Sequence, residues 1–189
     1  MALNYCVMMR AKTLDYVCCS GRIQGFRMWP DLLTGPRSAV TGQYSPYDTP
    51  SVYNQDSVND RVLAGFANSW SYYGVYRTEV LKQIWCEVCA LELTNLQVHE
   101  KFCAMRTLTF GKTFCTGALT TLYRQHGTGQ GTAWNPEGGI DMIKVLKVME
   151  AEGIDSGALY DRWADWYKTR DRSFRSPLRK RLKATFPNL

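Results

Sequence analysis

Two cysteines three residues apart, followed by a histidine and a cysteine four residues apart, restrict how the middle of this chain can run. The residues are Cys86, Cys89, His99 and Cys103. On one continuous helix Cys86 and Cys103 would stand about 25 Å apart, and no single ion could hold both. Thr94 followed by Gln97 reads as a capping box, which ends one helix and starts another. Folded there, the chain becomes an antiparallel hairpin. Cys89 and His99 then face each other across the turn, as do Cys86 and Cys103. Each pair of donors shares one face of its own helix, because residues three or four apart are neighbours on a helix surface. Helices pack 8–10 Å apart, a gap that side-chain ligands span.

Three thiolates and an imidazole form a Cys3His set, and the metal that this set takes is zinc. With all four positions filled by protein the site would be structural. The nine-residue gap between the halves is shorter than the spacing of a DNA-reading finger. Two other readings stay open. The cysteines can be buried small apolar residues at the hairpin interface, or Cys86 and Cys103 can form a disulfide.

Apolar periodicity extends the helical reading to most of the chain. Helices are expected over 2–19, from Ser57 or Asn59 through Trp70, over 76–93, from Thr94 through Leu108, over 112–125, over 140–151, and from Asp155 or Ser156 to Thr169. Gly74 and Gly111 read as breaks. Ser176-Pro177 opens a last, basic helix. Between Gly21 and Asp56 glycines and prolines dominate, so this stretch is read as an irregular, aromatic-rich arm. The expected fold is all-α: a helical bundle built on the hairpin of about 76–108, with an irregular N-terminal arm and a basic C-terminal helix. The expected division is an N-terminal helix and arm over 1–56, and a helical domain with its tail over 57–189.

A hydrophobic content of 45% supplies a core without obligatory metal or disulfides. An aromatic content of 13% sets the chain apart from disordered sequences. The net charge of +6 is unevenly placed. From Lys168 to Lys183 eight basic residues stand against Asp171 alone, so this stretch carries +7 and the rest of the chain −1. Such a balance points to one local anionic contact rather than a broad nucleic-acid face. The residues that would dock on an anion or a partner are Arg172, Arg175, Arg179, Lys180, Arg181 and Lys183. The tail could meet protein, nucleic acid or anionic lipid.

No apolar run reaches the length of a transmembrane helix. The first fourteen residues hold Arg10 and Lys12 without an acid, as an organellar targeting helix does, but a plain N-terminal helix is the preferred reading. Seven cysteines, an odd number, suit an intracellular reducing compartment, the mitochondrion or a virion included.

Other candidates are thin. The loop His126–Gly131 lacks the strand and the Lys-Ser/Thr pair of a phosphate cradle. Asp161 and Asp165 lie one turn apart but have Arg162 and Lys168 at hand, so a solvated face is expected. Cys18-Cys19 has no evident partner. No nucleophile–base pair is present. The residues therefore point to a non-catalytic subunit of a larger assembly, stabilised by zinc if the quartet binds it. A zinc-stabilised nucleic-acid binder using its basic tail is the alternative.

Overall fold

The computed structural model describes residues 15–29, 37–44, 54–66, 69–125 and 138–168. Its elements run β1 (Tyr16–Trp29), β2 (Arg37–Tyr44), α1 (Val58–Gly65), a 3-10 helix (Ser69–Tyr73), β3 (Val75–Tyr76), α2 (Thr78–Leu91), α3 (Leu96–Phe110), β4 (Lys112–Gln125), α4 (Gly138–Ala151) and α5 (Ser156–Lys168). The fold is mixed, so the all-α expectation is corrected: among the described residues a four-stranded sheet stands beside five α-helices.

Strand β1 is the spine of that sheet. It pairs in parallel with β4 from Tyr16↔Lys112 to Arg27↔Gln125. It also pairs antiparallel with β3 at Cys18↔Tyr76 and with β2 from Ile23↔Tyr44 to Trp29↔Arg37. Two expectations fall here. The segment 112–125 is a strand, not a helix. Its four threonines, Phe114 and Tyr123 favour an extended backbone, and β1 offers a full-length partner. The arm over 21–56 is not irregular throughout, because it contains most of β1 and all of β2. The helix expected over 2–19 gives way to strand from Tyr16; residues 1–14 lie outside the described ones.

The two glycines read as helix breaks have a spatial reason. A Cβ at Gly111 would lie 2.5 Å from the Asp15 carbonyl oxygen and 2.7 Å from Val17 Cγ1. A Cβ at Gly74 would lie 2.7 Å from Cys18 Sγ. Both positions let the β1 backbone pass close to the helical layer. There Lys112 N–H donates to the Asp15 carbonyl, and Arg77 N–H to that of Val17.

Helix α3 is the axis of the helical part. From Gln97 to Leu108 every residue except His99 and Glu100 is buried. Phe102, Met105 and Leu108 join Val62 and Phe66 of α1, Ile84 and Val88 of α2, Leu146 and Met149 of α4, and Trp163 of α5 in one apolar core. Cations inside such a core must be paired. Lys101 Nζ donates to the Phe66 carbonyl at 2.9 Å and lies 4.3 Å and 4.8 Å from the ring centres of Phe66 and Trp166. Arg106 grips Glu87 through Nε and Nη2, at 2.6 and 2.9 Å, and reaches Glu152 at 3.0 Å. Burial alone would lower the Arg106 pKa, but the bonds to Glu87 and Glu152 reverse that and raise it. Arg61 donates from Nε to the Leu108 carbonyl at 3.0 Å, closing the end of α3.

The α2–α3 turn is clasped by the first turns of α4. Asp141 is 2% exposed; its Oδ2 accepts from Thr94 N–H at 2.8 Å, Asn95 N–H at 2.7 Å and the Thr94 hydroxyl at 3.3 Å. Lys144 Nζ donates to the Leu91 and Glu92 carbonyls at 2.7 and 3.1 Å, satisfying the end of α2. Glu92 holds the left-handed conformation (φ 48°) that closes that helix. Asn95, not Thr94, is the N-cap of α3: its Oδ1 accepts from Gln97 and Val98 N–H.

Replacing Asp141 with Ala leaves the donors of the turn without their carboxylate. Loss of about 2–4 kcal/mol of stability is expected, read as a lower urea midpoint at unchanged slope.

Candidate functional site

The candidate site is built on the α2–α3 hairpin, and the faces of α2 decide where its donors lie. Ile84 and Val88 point into the core. At 100° per residue, Cys86 and Cys89 project about 150° away from that direction. Both are exposed. Trp85, 40% exposed, stands beside them, and Ala90 is exposed on the same side.

The α3 donors lie in different surroundings. His99 is half-buried, with Trp85 edge-on at 4.9 Å between ring centres and Tyr72 at 6.1 Å. Its Nε2 is buried and has no hydrogen-bond partner among the described residues. Burial lowers the imidazole pKa. Next to it Glu100 accepts from the Tyr73 hydroxyl at 3.0 Å, and burial raises this carboxyl despite that bond. Cys103 is 3% exposed, and burial, with Glu100 nearby, pushes its thiol up to about 12. The structure thus turns Cys86 and Cys89 outward and His99 and Cys103 inward. Among the described residues no three His, Cys, Asp or Glu side chains converge as a metal site would require.

A second group of thiols lies within the sheet, Cys18 and Cys19 on β1 and Cys115 on β4. Cys18 is fully buried, near the Ser71 carbonyl (Sγ to O 3.9 Å). Burial and the neighbouring Cys19 and Cys115 push its thiol well above the usual range. Cys115 is pushed up to about 12 by burial and by Cys19. These groups hold their protons at neutral pH and are poor nucleophiles. The pairing of β1 with β4 sets Cys18 beside Thr113, Cys19 beside Phe114 and Ser20 beside Cys115, which brings Cys115 into the neighbourhood of the vicinal pair.

The remaining candidates divide by position. Asp161, Arg162 and Asp165 are exposed on α5, while Trp163 is fully buried. The loop His126–Gly131 and the tail residues Arg172, Arg175, Arg179, Lys180, Arg181 and Lys183 lie outside the described residues. Sequence reasoning missed Asp141, Lys144 and the Glu87–Arg106 pair. The available signal was a charge at a position where helical spacing demands an apolar residue. Comparison of the chain with family models, curated proteins and solved structures finds no match. No helix among the described residues is long and apolar enough to cross a membrane.

Brief treatment of the native, reduced protein with N-ethylmaleimide should label Cys86 and Cys89 and spare Cys18 and Cys103 until denaturant is added. Peptide mass spectrometry reads the pattern, and equal labelling of all four would contradict the assigned faces.

His99 makes stability depend on pH. Its native pKa lies below the ordinary 6.5, so the neutral form is favoured in the fold. The stability it supports is complete above that value and is lost as pH falls from there through the native pKa. Glu100 acts in the opposite sense at lower pH, since its raised native pKa favours the fold once it is protonated. His99→Phe keeps an aromatic ring against Trp85 and does not titrate. The variant should gain on the wild type as pH falls below about 6.5, measured by urea denaturation at a series of pH values.

Proposed function

We propose that this chain is a non-catalytic structural or accessory subunit of a larger macromolecular assembly, an organellar complex or a virion, working in a reducing compartment. The observation that carries the reading is the outer face of α2. Trp85, Cys86, Cys89 and Ala90 lie outward, with exposed Glu79 and Lys82 about one turn earlier, on a helix whose Ile84 and Val88 are buried in the core. A large exposed aromatic residue beside small side chains and rimmed by charge suits a protein contact. Ile140 at 46% exposure, Leu119 at 45% and Val58 at 37% add apolar positions on three further elements. The buried ionisable groups, in contrast, serve the fold. Arg61, Lys101, Arg106 and Asp141 are each bonded to backbone ends or to opposite charges.

The second reading is a nucleic-acid binder, and what favours it is the charge of +7 between Lys168 and Lys183. One purified sample separates the two. Sedimentation and limited proteolysis of the isolated chain should show self-association, or rapid cleavage in the tail. A monodisperse monomer with the tail protected would sink the assembly reading. Salt-dependent RNA binding that is lost when Arg179, Lys180 and Arg181 are neutralised would establish the nucleic-acid reading instead.

A further inference from the structure

We propose that Cys86 and Cys89 form half of a zinc site that a second copy of this chain completes. The inference rests on the assembly reading and names one contact within it.

The two thiols are exposed, one helical turn apart, in the C-terminal half of α2. Residues at this spacing hold their Cβ atoms about 5–6 Å apart. Two sulfurs on one tetrahedral zinc stand about 3.8 Å apart, as Zn–S bonds of about 2.3 Å require. Side-chain rotation closes that difference, so the pair can chelate one ion. Two ligands leave a structural zinc half-filled. Among the described residues the two donors of the facing helix do not complete it, because Cys103 is 3% exposed in the core and His99 lies against Trp85 and Tyr72. A two-fold-related copy brings the same two thiols to the open positions, since a two-fold contact pairs a surface with itself.

The surroundings fit such a contact. Ala90 and the two cysteines are small, so a facing α2 can approach closely. Trp85 flanks the pair and would lose its exposure against the partner. On zinc binding the four thiols release their protons to solvent, and the Zn(Cys)4 centre carries a charge of −2. Lys82 stands one turn before Cys86, 67% exposed and paired with the still more exposed Glu79 at 3.3 Å. One such lysine from each copy offsets that charge. Glu92, on the opposite side of Cys89 along the chain, is exposed and adds a negative charge at the rim.

The test uses the full chain, reduced with a phosphine, stripped with a chelator, desalted and titrated with zinc chloride. Light scattering should show the mass doubling, and elemental analysis one zinc per two chains. Cobalt(II) in place of zinc should give the intense charge-transfer absorption of a tetrathiolate centre. All three should vanish in Cys86→Ser/Cys89→Ser and persist in His99→Phe. The replaced cysteines are exposed, and circular dichroism confirms that the double variant folds. One zinc per monomer, lost in His99→Phe, would overturn the proposal in favour of the intramolecular quartet. Zinc-induced doubling that survives the double serine variant, or no zinc uptake at all, would overturn it outright. Self-association persisting in chelator would leave the assembly reading intact while removing the zinc bridge.

Discussion

The carboxylate of Asp141 holds together the part of the molecule on which the rest is arranged. A tight connection between two helices leaves carbonyls at the end of one and N–H groups at the start of the next. Here Asn95 caps the first N–H groups of α3 itself, while the N–H groups of the turn are met from α4 by Asp141 and the last carbonyls of α2 by Lys144. The two groups sit one turn apart on α4, 4.0 Å from each other. The turn therefore has its settled shape only when α4 is docked. This joins the angle of the hairpin to the packing of the C-terminal helices.

Once α3 is fixed at its start, its burial imposes the remaining polar design. A helix covered on nearly every side would ordinarily be apolar all round. α3 instead carries Lys101 and Arg106 inward. Each is matched from a different element: a carbonyl and aromatic rings from α1 and α5, and carboxylates from α2 and the end of α4. Geometric matches of this kind favour one arrangement of helices over alternatives with equal apolar burial.

Local signals in the sequence made the helices legible and left the sheet out of reach. The spacing of Ile84, Val88 and Leu91 marks α2, and Ser57 caps α1 as its position before an apolar run suggests. Thr94 and Asn95 both suit the N-cap of α3, so the sequence alone points to a cap one residue before the Asn95 that fills it. The Thr94 hydroxyl is engaged with Asp141, which only the tertiary structure reveals. In Lys112–Gln125 the apolar residues also fit a helical stripe. The deciding factor is β1, a distant strand that no local window contains. The cysteine–histidine quartet was paired by counting along the chain from the turn. Counting around the helix axis places Cys86 and Cys89 on the far side from Ile84 and Val88, and that second count was equally open to sequence reasoning.

The parallel pairing of β1 with β4 has a consequence for how the molecule comes into being. Synthesis runs from the N-terminus, so β1 leaves the ribosome long before its partner exists. β2 follows soon and covers one edge over Ile23–Trp29. The other edge, which β4 takes from Tyr16 onward, stays open while α1, α2 and α3 are being made. An unpaired strand edge is a template for the wrong neighbour. Pairing across a long intervening segment is also slow to form. The nascent chain thus spends its early life with its most adhesive surface uncovered, and its yield in a cell depends on what shields that edge until Gln125 has emerged.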